Sequence, residues 1–232
     1  LKHLCRLKGW NGPSFFLNSS HAQNVKTARD RLDPQVTVSM RDVEAADFIL
    51  VIGVDPINEA PMLALAMRQA QRNGAKVVVV DPRPVNLPFA FRHLPHQYDT
   101  LGLALGHFIK RAVNPGAAAV IGEKAERYVD ALPDERDASG SIALFDEEIV
   151  QNLQQSQQPV IICGTEHVPD ATIDLCADFA LLLRASDKTA GVFYAMSGAN
   201  AYAAGMLDDV GRTFLQIVEG IENGSIRALI LA

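Results

Sequence analysis

The chain has 232 residues, of which 48% are hydrophobic and 21% charged, and its formal net charge is −6. This composition excludes disorder over most of the chain, because disorder needs lower hydrophobicity and a higher net charge. The acidic balance speaks against a nucleic-acid partner, and no apolar run approaches the roughly 20 residues of a membrane span. The length suits one large or two small domains.

The first half of the chain predicts a strand–helix–strand unit. Residues 48–54 (FILVIGV) are a continuous apolar run of strand length, and residues 62–73 carry apolar side chains at helical spacing. Gly74 suits the end of that helix, and residues 76–80 (KVVVV) indicate a second strand that is buried on both faces. Together they predict a right-handed parallel βαβ unit.

Shorter elements are predicted around this unit. Before it we expect a short strand at residues 14–17, a helix at 22–32, a short strand at 36–38 and a turn at 43–46 capped by Asp42. After it, four prolines exclude regular structure from residues 81–95 (DPRPVNLPFAFRHLP). Helices are then predicted at residues 101–113 and 123–132.

The second half repeats the same scheme after a linker at residues 133–140 (PDERDASG), which has no apolar periodicity. The elements predicted next are a helix at 146–155, a strand at 160–163, a loop at 164–169, a helix at 170–183, a strand at 191–194, a helix at 213–222 and a strand at 226–231. We therefore predict an α/β fold of two Rossmann-like lobes with mainly parallel sheets flanked by helices. The lobes cover residues 1–132 and 141–232, and we expect the chain to be part of a longer protein that continues beyond its last strand.

The cysteine and histidine patterns do not predict a metal centre. Cys5, Cys163 and Cys176 are widely spaced, so we expect buried reduced thiols in a reducing compartment instead of disulfides or metal ligands. His93 and His96 are close enough to suggest a metal, but further ligands are missing. Neither a nucleophile motif nor a zinc-protease motif nor a P-loop is present. The sequence therefore predicts no catalytic residue.

Three loops follow predicted strands, which is where open parallel sheets bind ligands. They are residues 53–61 (GVDPINEAP), 81–84 (DPRP) and 164–169 (GTEHVP). Gly53 permits a sharp turn, and the helix after it offers free N–H groups to an anion. Asp81 and Arg83 carry acceptors and donors that suit a purine or a ribose. The full GxGxxG fingerprint is absent, so these loops are a weak indication of a dinucleotide.

Carboxylates in the first loop argue against a bound phosphate. Asp55 and Glu59 lie where a pyrophosphate would meet the helix, and their charge already complements the helix dipole. Because Asp55 stands directly before Pro56, it could be a turn residue that caps the helix or, equally, a ligand residue. Residues 197–205 (SGANAYAAG) suit either a ligand-lining loop or tight packing under a neighbour.

Taken together, these motifs resemble those of the molybdopterin oxidoreductases. ADFILVIGVDPINEAP followed by RNGAKVVVVDPRP is similar to that family's apolar strand, GxNP loop, second strand and DPR loop. VIICGTEHVP, GANAYAAG and IVEGIENGSIRALILA resemble the family's second lobe, so that the match spans most of residues 42–232. Within the family, the EAP at residues 59–61 most resembles the large iron–sulfur subunit of NADH:quinone oxidoreductase, complex I. Formate dehydrogenase-like catalytic subunits come second.

The resemblance also implies a cofactor site. In members that bind molybdenum, the guanosine part of a molybdopterin guanine dinucleotide would be held by Gly53, Asp55, Pro56, Asp81 and Arg83. Two features depart from the family pattern: Asp55 replaces the usual Asn, and YDTL at residues 98–101 replaces Pro-Gly-Thr-Asp. Complex I subunits resemble the catalytic family in fold but have lost the molybdenum site, and both departures agree with that loss.

Two main functions follow from the resemblance. The first is a scaffold domain without its own active site or cofactor, in an NADH-quinone oxidoreductase subunit whose iron–sulfur clusters lie in other segments. It would serve electron transfer from NADH to quinone among the subunits of a respiratory complex, on the cytoplasmic face of the membrane, reached through its partners alone. The alternative is the molybdopterin guanine dinucleotide-binding part of a molybdenum or tungsten oxidoreductase such as formate dehydrogenase. A free-standing nucleotide-binding protein is the third and least favoured function.

Overall fold

The computed structural model describes residues 1–114, 116–133, 145–198, 200–207 and 212–229. Within these ranges the strands are β1 (Phe48–Ile52), β2 (Lys76–Val80), β3 (Arg92–Leu94), β4 (Pro159–Gly164) and β5 (Gly191–Ala195). They form one parallel sheet in the order β3–β2–β1–β4–β5. The predicted α/β class, with a parallel sheet flanked by helices, is confirmed.

Twelve α-helices are described around the sheet. In chain order they are α1 (Lys2–Lys8), α2 (Ser19–Asp30), α3 (Met40–Ala45), α4 (Pro56–Glu59), α5 (Pro61–Arg72), α6 (Leu101–Ala112), α7 (Ala117–Ile121), α8 (Glu123–Asp130), α9 (Glu147–Gln155), α10 (Asp170–Arg184), α11 (Ala201–Leu207) and α12 (Phe214–Glu222). In the part of the chain that the structure covers, none of these helices combines the length and apolar character needed to cross a bilayer.

The sheet is central because its strands are apolar on both faces. Successive side chains of a strand point to opposite faces, and β1 supplies both hydrophobic cores. Leu50 packs in the core that contains Phe108 of α6, whereas Val51 packs in the core that contains Met67 of α5. This burial on two sides is what an all-parallel sheet requires.

Strands from both predicted lobes join the same sheet. Leu50 of β1 pairs with Val78 of β2 on one side and with Ile161 of β4 on the other. A repeated order of strand, loop and helix looks the same in sequence whether the strands form one sheet or two, so periodicity alone did not distinguish these arrangements. Of the predicted linker, only Pro133 is among the described residues, and the proposed domain limits stay a prediction.

Several local predictions were wrong. Residues 14–17 form no strand. β3 lies inside the proline-rich segment, in a gap between Pro88 and Pro95 that leaves its backbone N–H groups free to pair. Residues 36–38 make only an isolated bridge, from Thr37 to Val192 of β5. Ser39, not Asp42, is the N-cap of α3, because its hydroxyl accepts from the Asp42 N–H while the Asp42 carboxylate accepts from the Ser39 N–H.

The end of the chain also differs from expectation. The small-residue segment at 197–205 contains the start of α11, and a Cβ on Gly205 would lie 2.9 Å from Val25 Cγ1 of α2. Tight packing is therefore the reason for a small residue there. Residues 226–229 form no strand, and the remainder of that predicted strand lies outside the described residues.

Candidate functional site

The strand order places a crevice between β1 and β4. From β1 the chain moves outward to β2 and β3 and then returns to pair β4 with the other side of β1. In open parallel sheets, ligands bind at such a reversal, outside the carboxyl ends of the strands. Two of the predicted loops, residues 53–61 and 164–169, meet here, and the DPRP loop follows the neighbouring strand β2.

The first two loops are in close contact with each other. Gly53 has φ 63°, and a Cβ on it would lie 2.3 Å from Val168 Cγ1 and 3.0 Å from the His167 carbonyl oxygen. A Cβ on Gly164 would lie 2.3 Å from the Gly53 carbonyl oxygen. Because Val54 and Val168 are also fully buried, the floor of the crevice is filled by the protein's own backbone and side chains.

Asp55 caps the short helix α4, which is the structural alternative considered for it. Its Oδ1 accepts hydrogen bonds from the backbone N–H groups of Ile57 (3.2 Å) and Asn58 (3.4 Å), and Oδ2 accepts from the Asn58 side chain at 2.6 Å. Pro56 occupies the first turn, where its missing N–H costs nothing. The N–H groups that a phosphate would use are therefore already bonded to a carboxylate.

Asp81 and Arg83 form an ion pair with each other. Asp81 Oδ1 accepts from the Arg83 backbone N–H (2.8 Å) and from Nε (2.9 Å), and Oδ2 accepts from Nη2 (2.7 Å). Arg83 Nη1 also donates to Glu59 Oε1 at 2.6 Å. The Asp81 side chain is wholly buried, while that of Arg83 is 35% exposed. Bonding to Asp81 raises the pKa of Arg83 above its usual value, and Glu59 adds to the effect.

The two histidines considered as metal ligands have other partners. His93 Nε2 lies 3.0 Å from the Asp81 carbonyl oxygen, and His96 Nε2 lies 3.1 Å from Thr100 Oγ1. Cys5, Cys163 and Cys176 are free thiols and all are buried. Across the described ranges, no group of three histidine, cysteine or acidic side chains has the arrangement of a metal site.

A polar network around the third loop was not predicted from the sequence. Asn24 of α2 is buried and donates to the carbonyl oxygens of Thr165 (3.0 Å) and Val168 (2.9 Å). Ser197 donates its hydroxyl to Glu166 Oε2 at 2.5 Å, and this bond lowers the pKa of Glu166. The network fixes the loop onto the crevice. A lone Asn within a helical pattern gives no sequence signal for such a role.

Comparisons with known proteins agree with this arrangement. A family model described as molybdopterin oxidoreductase matches residues 9–231. An NADH-quinone oxidoreductase subunit of Pseudomonas fluorescens is 26% identical over 222 residues, covering 85% of this chain and 23% of the relative. The F420-dependent formate dehydrogenase subunit alpha of Methanocaldococcus jannaschii is 42% identical over 48 residues, covering 21% of this chain and 7% of the relative. The chain thus spans about a quarter or less of these curated relatives.

A solved structure supports the fold. A chain of the formyltransferase/hydrolase complex FhcABCD from Methylorubrum extorquens superimposes with a TM-score of 0.54 at 13% identity, covering 88% of this chain and 57% of that one. At this identity the likeness concerns the fold alone. The family model covers nearly the whole sequence. The chain therefore belongs to the molybdopterin oxidoreductase family.

Proposed function

We propose that this chain is a scaffold domain, without an active site of its own, in the large subunit of an NADH-quinone oxidoreductase. The observation that carries the proposal is the filled carboxyl edge of the sheet, where Asp81 and Arg83 bond to each other and Asp55 bonds to the start of its own helix α4. The similarity to the Pseudomonas subunit over 85% of this chain supports the assignment to an NADH-quinone oxidoreductase.

The residues at the carboxyl edge of β1 and β2 do not fit a guanine nucleotide in the arrangement that the structure shows. A guanine ring presents adjacent N–H donors, and an aspartate carboxylate could accept hydrogen bonds from them. Both oxygens of Asp81 already accept from Arg83, and releasing Arg83 would leave a wholly buried carboxylate without its cation. Phosphates would in addition meet the carboxylates of Asp55 and Glu59. We therefore assign no cofactor to this domain.

A scaffold acts by presenting rigid surfaces to its neighbours. The all-parallel sheet, with a hydrophobic core on each face, provides the rigid body. In this proposal the domain supports the iron–sulfur segments of its own subunit and the adjoining subunits of a respiratory complex. Electrons pass from NADH to quinone through those other parts. The domain would lie on the inner face of the membrane and reach it through partner subunits alone.

Titration with guanosine diphosphate tests the proposal. Followed by calorimetry and by the backbone amide resonances of residues 53–61 and 81–84, the protein should show neither heat nor shift changes at millimolar nucleotide. A matched titration of the Asp81→Ala variant should give the same flat result. Saturable binding to the natural chain that Asp81→Ala removes would contradict a scaffold and would place a nucleotide at this crevice.

The second candidate function is a molybdopterin guanine dinucleotide-binding part of a formate dehydrogenase-like molybdenum or tungsten enzyme. The observation in its favour is the 42% identity to the Methanocaldococcus formate dehydrogenase subunit over 48 residues. This candidate requires Arg83 to leave Asp81 when nucleotide binds, so it predicts the saturable binding that the scaffold does not.

A further inference from the structure

The chain contains three Asn-Gly sequences, at residues 11–12, 73–74 and 223–224. Because glycine has no Cβ, the backbone nitrogen that follows each asparagine is open to close approach. That nitrogen can attack Cγ of the asparagine side chain and close a five-membered ring. All six residues are exposed, so water reaches the three sites alike. A difference in their reactivity therefore has to come from the backbone around them.

The sequence at residues 73–74 is held at the end of α5. Asn73 is the C-cap of this helix, with ψ 3°, and the Gly74 N–H donates to the Gln71 carbonyl oxygen at 3.0 Å. Ring closure needs the glycine nitrogen to lie beside the asparagine Cγ, which requires a ψ far from zero. The end of α5 therefore has to open, and this hydrogen bond has to break, before Asn73 can react.

The sequence at residues 223–224 is held in the same way at the end of α12. Asn223 has ψ 2°, and the Gly224 N–H donates to the Ile221 carbonyl oxygen at 3.2 Å. The Asn223 side chain is fixed as well, because its Oδ1 accepts from the Ser225 N–H at 2.9 Å. Asn223 thus has the protection of Asn73 and one hydrogen bond more.

The sequence at residues 11–12 lies in the irregular segment between α1 and α2. Within the part of the chain that the structure describes, neither Asn11 nor Gly12 takes part in a hydrogen bond. The bond from the Trp10 N–H to the Cys5 carbonyl oxygen ends α1 just before them. A Cβ on Gly12 would meet nothing within 4 Å. Asn11 can therefore reach the reactive geometry without breaking a hydrogen bond.

We propose that Asn11 is a site of spontaneous deamidation, and that the ends of α5 and α12 protect Asn73 and Asn223. The Gly12 nitrogen gives up its proton and forms a bond to Asn11 Cγ, while the side-chain nitrogen leaves as ammonia. Water then opens the resulting succinimide. Cleavage of the new bond gives aspartate, and cleavage of the original peptide bond gives isoaspartate. The reaction consumes water alone and needs no other reagent.

Deamidation changes both the charge and the backbone of this segment. Residues 1–29 contain neither Asp nor Glu, so the product is the first carboxylate among them. Isoaspartate also lengthens the backbone between α1 and Ser14, whose hydroxyl donates to the Arg212 carbonyl oxygen at 2.5 Å. The inference does not depend on the proposed function, because it concerns a surface segment away from the carboxyl edge of the sheet.

Ageing of the full-length gene product in mildly alkaline buffer tests the proposal. Mass spectrometry of its peptides detects the replacement of the amide nitrogen by oxygen, and chromatography separates aspartate from isoaspartate. We expect Asn11 to deamidate at least about fivefold faster than Asn73 or Asn223, because each of these has to break a backbone hydrogen bond first. In concentrated urea, where the helix ends are lost, the three rates should converge.

Gly12→Ala tests the route through the glycine nitrogen. Gly12 lies outside the left-handed region and has open space around it, so the variant should fold as the natural chain does. The added Cβ hinders attack by residue 12, and the rate at position 11 alone should fall. An unchanged rate at position 11 would contradict this route.

Equal rates at the three positions of the folded protein, or a faster reaction at Asn73 or Asn223, would overturn the proposal. So would an Asn11 that stays intact while the protein in urea deamidates. Rates that differ in urea as they do in the folded protein would also overturn it, since the neighbouring sequence and not the fold would then set them.

Discussion

At the scale of single residues, the ion pair between Asp81 and Arg83 decides whether the carboxyl end of β2 is a ligand site or a structural contact. Asp81 is wholly buried, and every hydrogen bond described for its carboxylate comes from Arg83. Burying a carboxylate is costly unless a cation or several donors compensate it. The pair therefore has a structural role that needs no ligand.

Arg83→Ala should lower the free energy of unfolding by about 3 kcal/mol, because it leaves Asp81 buried without its partner. Urea unfolding monitored by circular dichroism measures the change. Arg68→Ala is the matched control, since Arg68 is an exposed arginine on α5, and its effect should be within about 0.5 kcal/mol of zero. Equal stability of the two variants would show that the pair contributes nothing to the fold.

Gly53→Ala should be destabilising by at least about 2 kcal/mol, because it combines a left-handed backbone with a Cβ 2.3 Å from Val168 Cγ1. Gly74→Ala separates the two effects, because Gly74 also has positive φ, 103°, but open space around it. We expect the Gly74 variant to lose about 1 kcal/mol. If both variants lose the same amount in thermal unfolding, the close contact of the two loops is refuted.

The buried tyrosine of β5 makes stability depend on alkaline pH. Tyr194 donates to the Ile173 carbonyl oxygen at 2.8 Å, and burial raises its pKa well above the usual value, helped by the nearby Cys176 and Cys163. The folded state thus keeps a proton that the unfolded state loses near pH 10. This contribution is fully present below that pH and is lost as the pH rises further.

Above about pH 10, the free energy of unfolding of the natural chain should fall as the pH rises. Tyr194→Phe should make this slope shallower by up to about 1.4 kcal/mol per pH unit, which corresponds to one proton. At neutral pH it should cost about 1 kcal/mol for the lost hydrogen bond. Urea unfolding at several pH values measures both. The exposed Tyr202 offers the control Tyr202→Phe, which should keep the slope of the natural chain. An unchanged slope in Tyr194→Phe would contradict the burial of the hydroxyl group.

At the scale of elements, the capping box of α3 shows how a few polar atoms fix the start of a short helix. The Ser39 hydroxyl accepts from the Asp42 N–H and donates to Asp42 Oδ2, and these bonds to Ser39 lower the pKa of Asp42. α3 in turn packs against α5, on the face of the sheet that contains Met67. The cap is therefore coupled to one of the two cores.

Ser39→Ala should cost about 1 kcal/mol of stability and raise the pKa of Asp42 toward that of an ordinary aspartate. Because the lowered pKa stabilises the fold at pH values above it, the cost should shrink as the pH falls through the acid range. Unfolding at pH 7 and pH 3, with an NMR titration of the Asp42 carboxyl carbon, checks both effects. Ser20→Ala in the first turn of α2 is the control. A variant with an unshifted Asp42 would show that the capping box does not form.

The elements that sequence could predict are those with strong periodicity. β1, α5 and β2 were located to within two residues, because continuous apolar runs and i, i+3, i+4 spacing leave few alternatives. β3 was missed because three residues between prolines carry no period. The residues at the carboxyl edge were located by motif, but their mutual bonding was not foreseen. The pair of hydrogen bonds from the Arg83 guanidinium to Asp81 depends on the directions of the two side chains. The contact of Val168 with Gly53 joins loops more than 100 residues apart in the sequence.

At the scale of the whole molecule, one sheet unites the two halves of the chain. The crevice between β1 and β4 is closed by the protein's own residues, because the loops that contain Gly53 and Gly164 are in close contact. A rigid domain with a closed ligand crevice is suited to support neighbours. In the proposed subunit, this domain would retain the family fold and act through its interfaces.

The most direct measurement is a metal and pterin analysis of the full-length gene product, purified from cells that make molybdopterin. A scaffold domain predicts iron from the other segments, with neither molybdenum nor tungsten and no guanine pterin. Stoichiometric molybdenum or tungsten with a guanine pterin would contradict the scaffold. It would require Arg83 to release Asp81 and would make Gly53, Asp55, Pro56, Asp81 and Arg83 ligand residues.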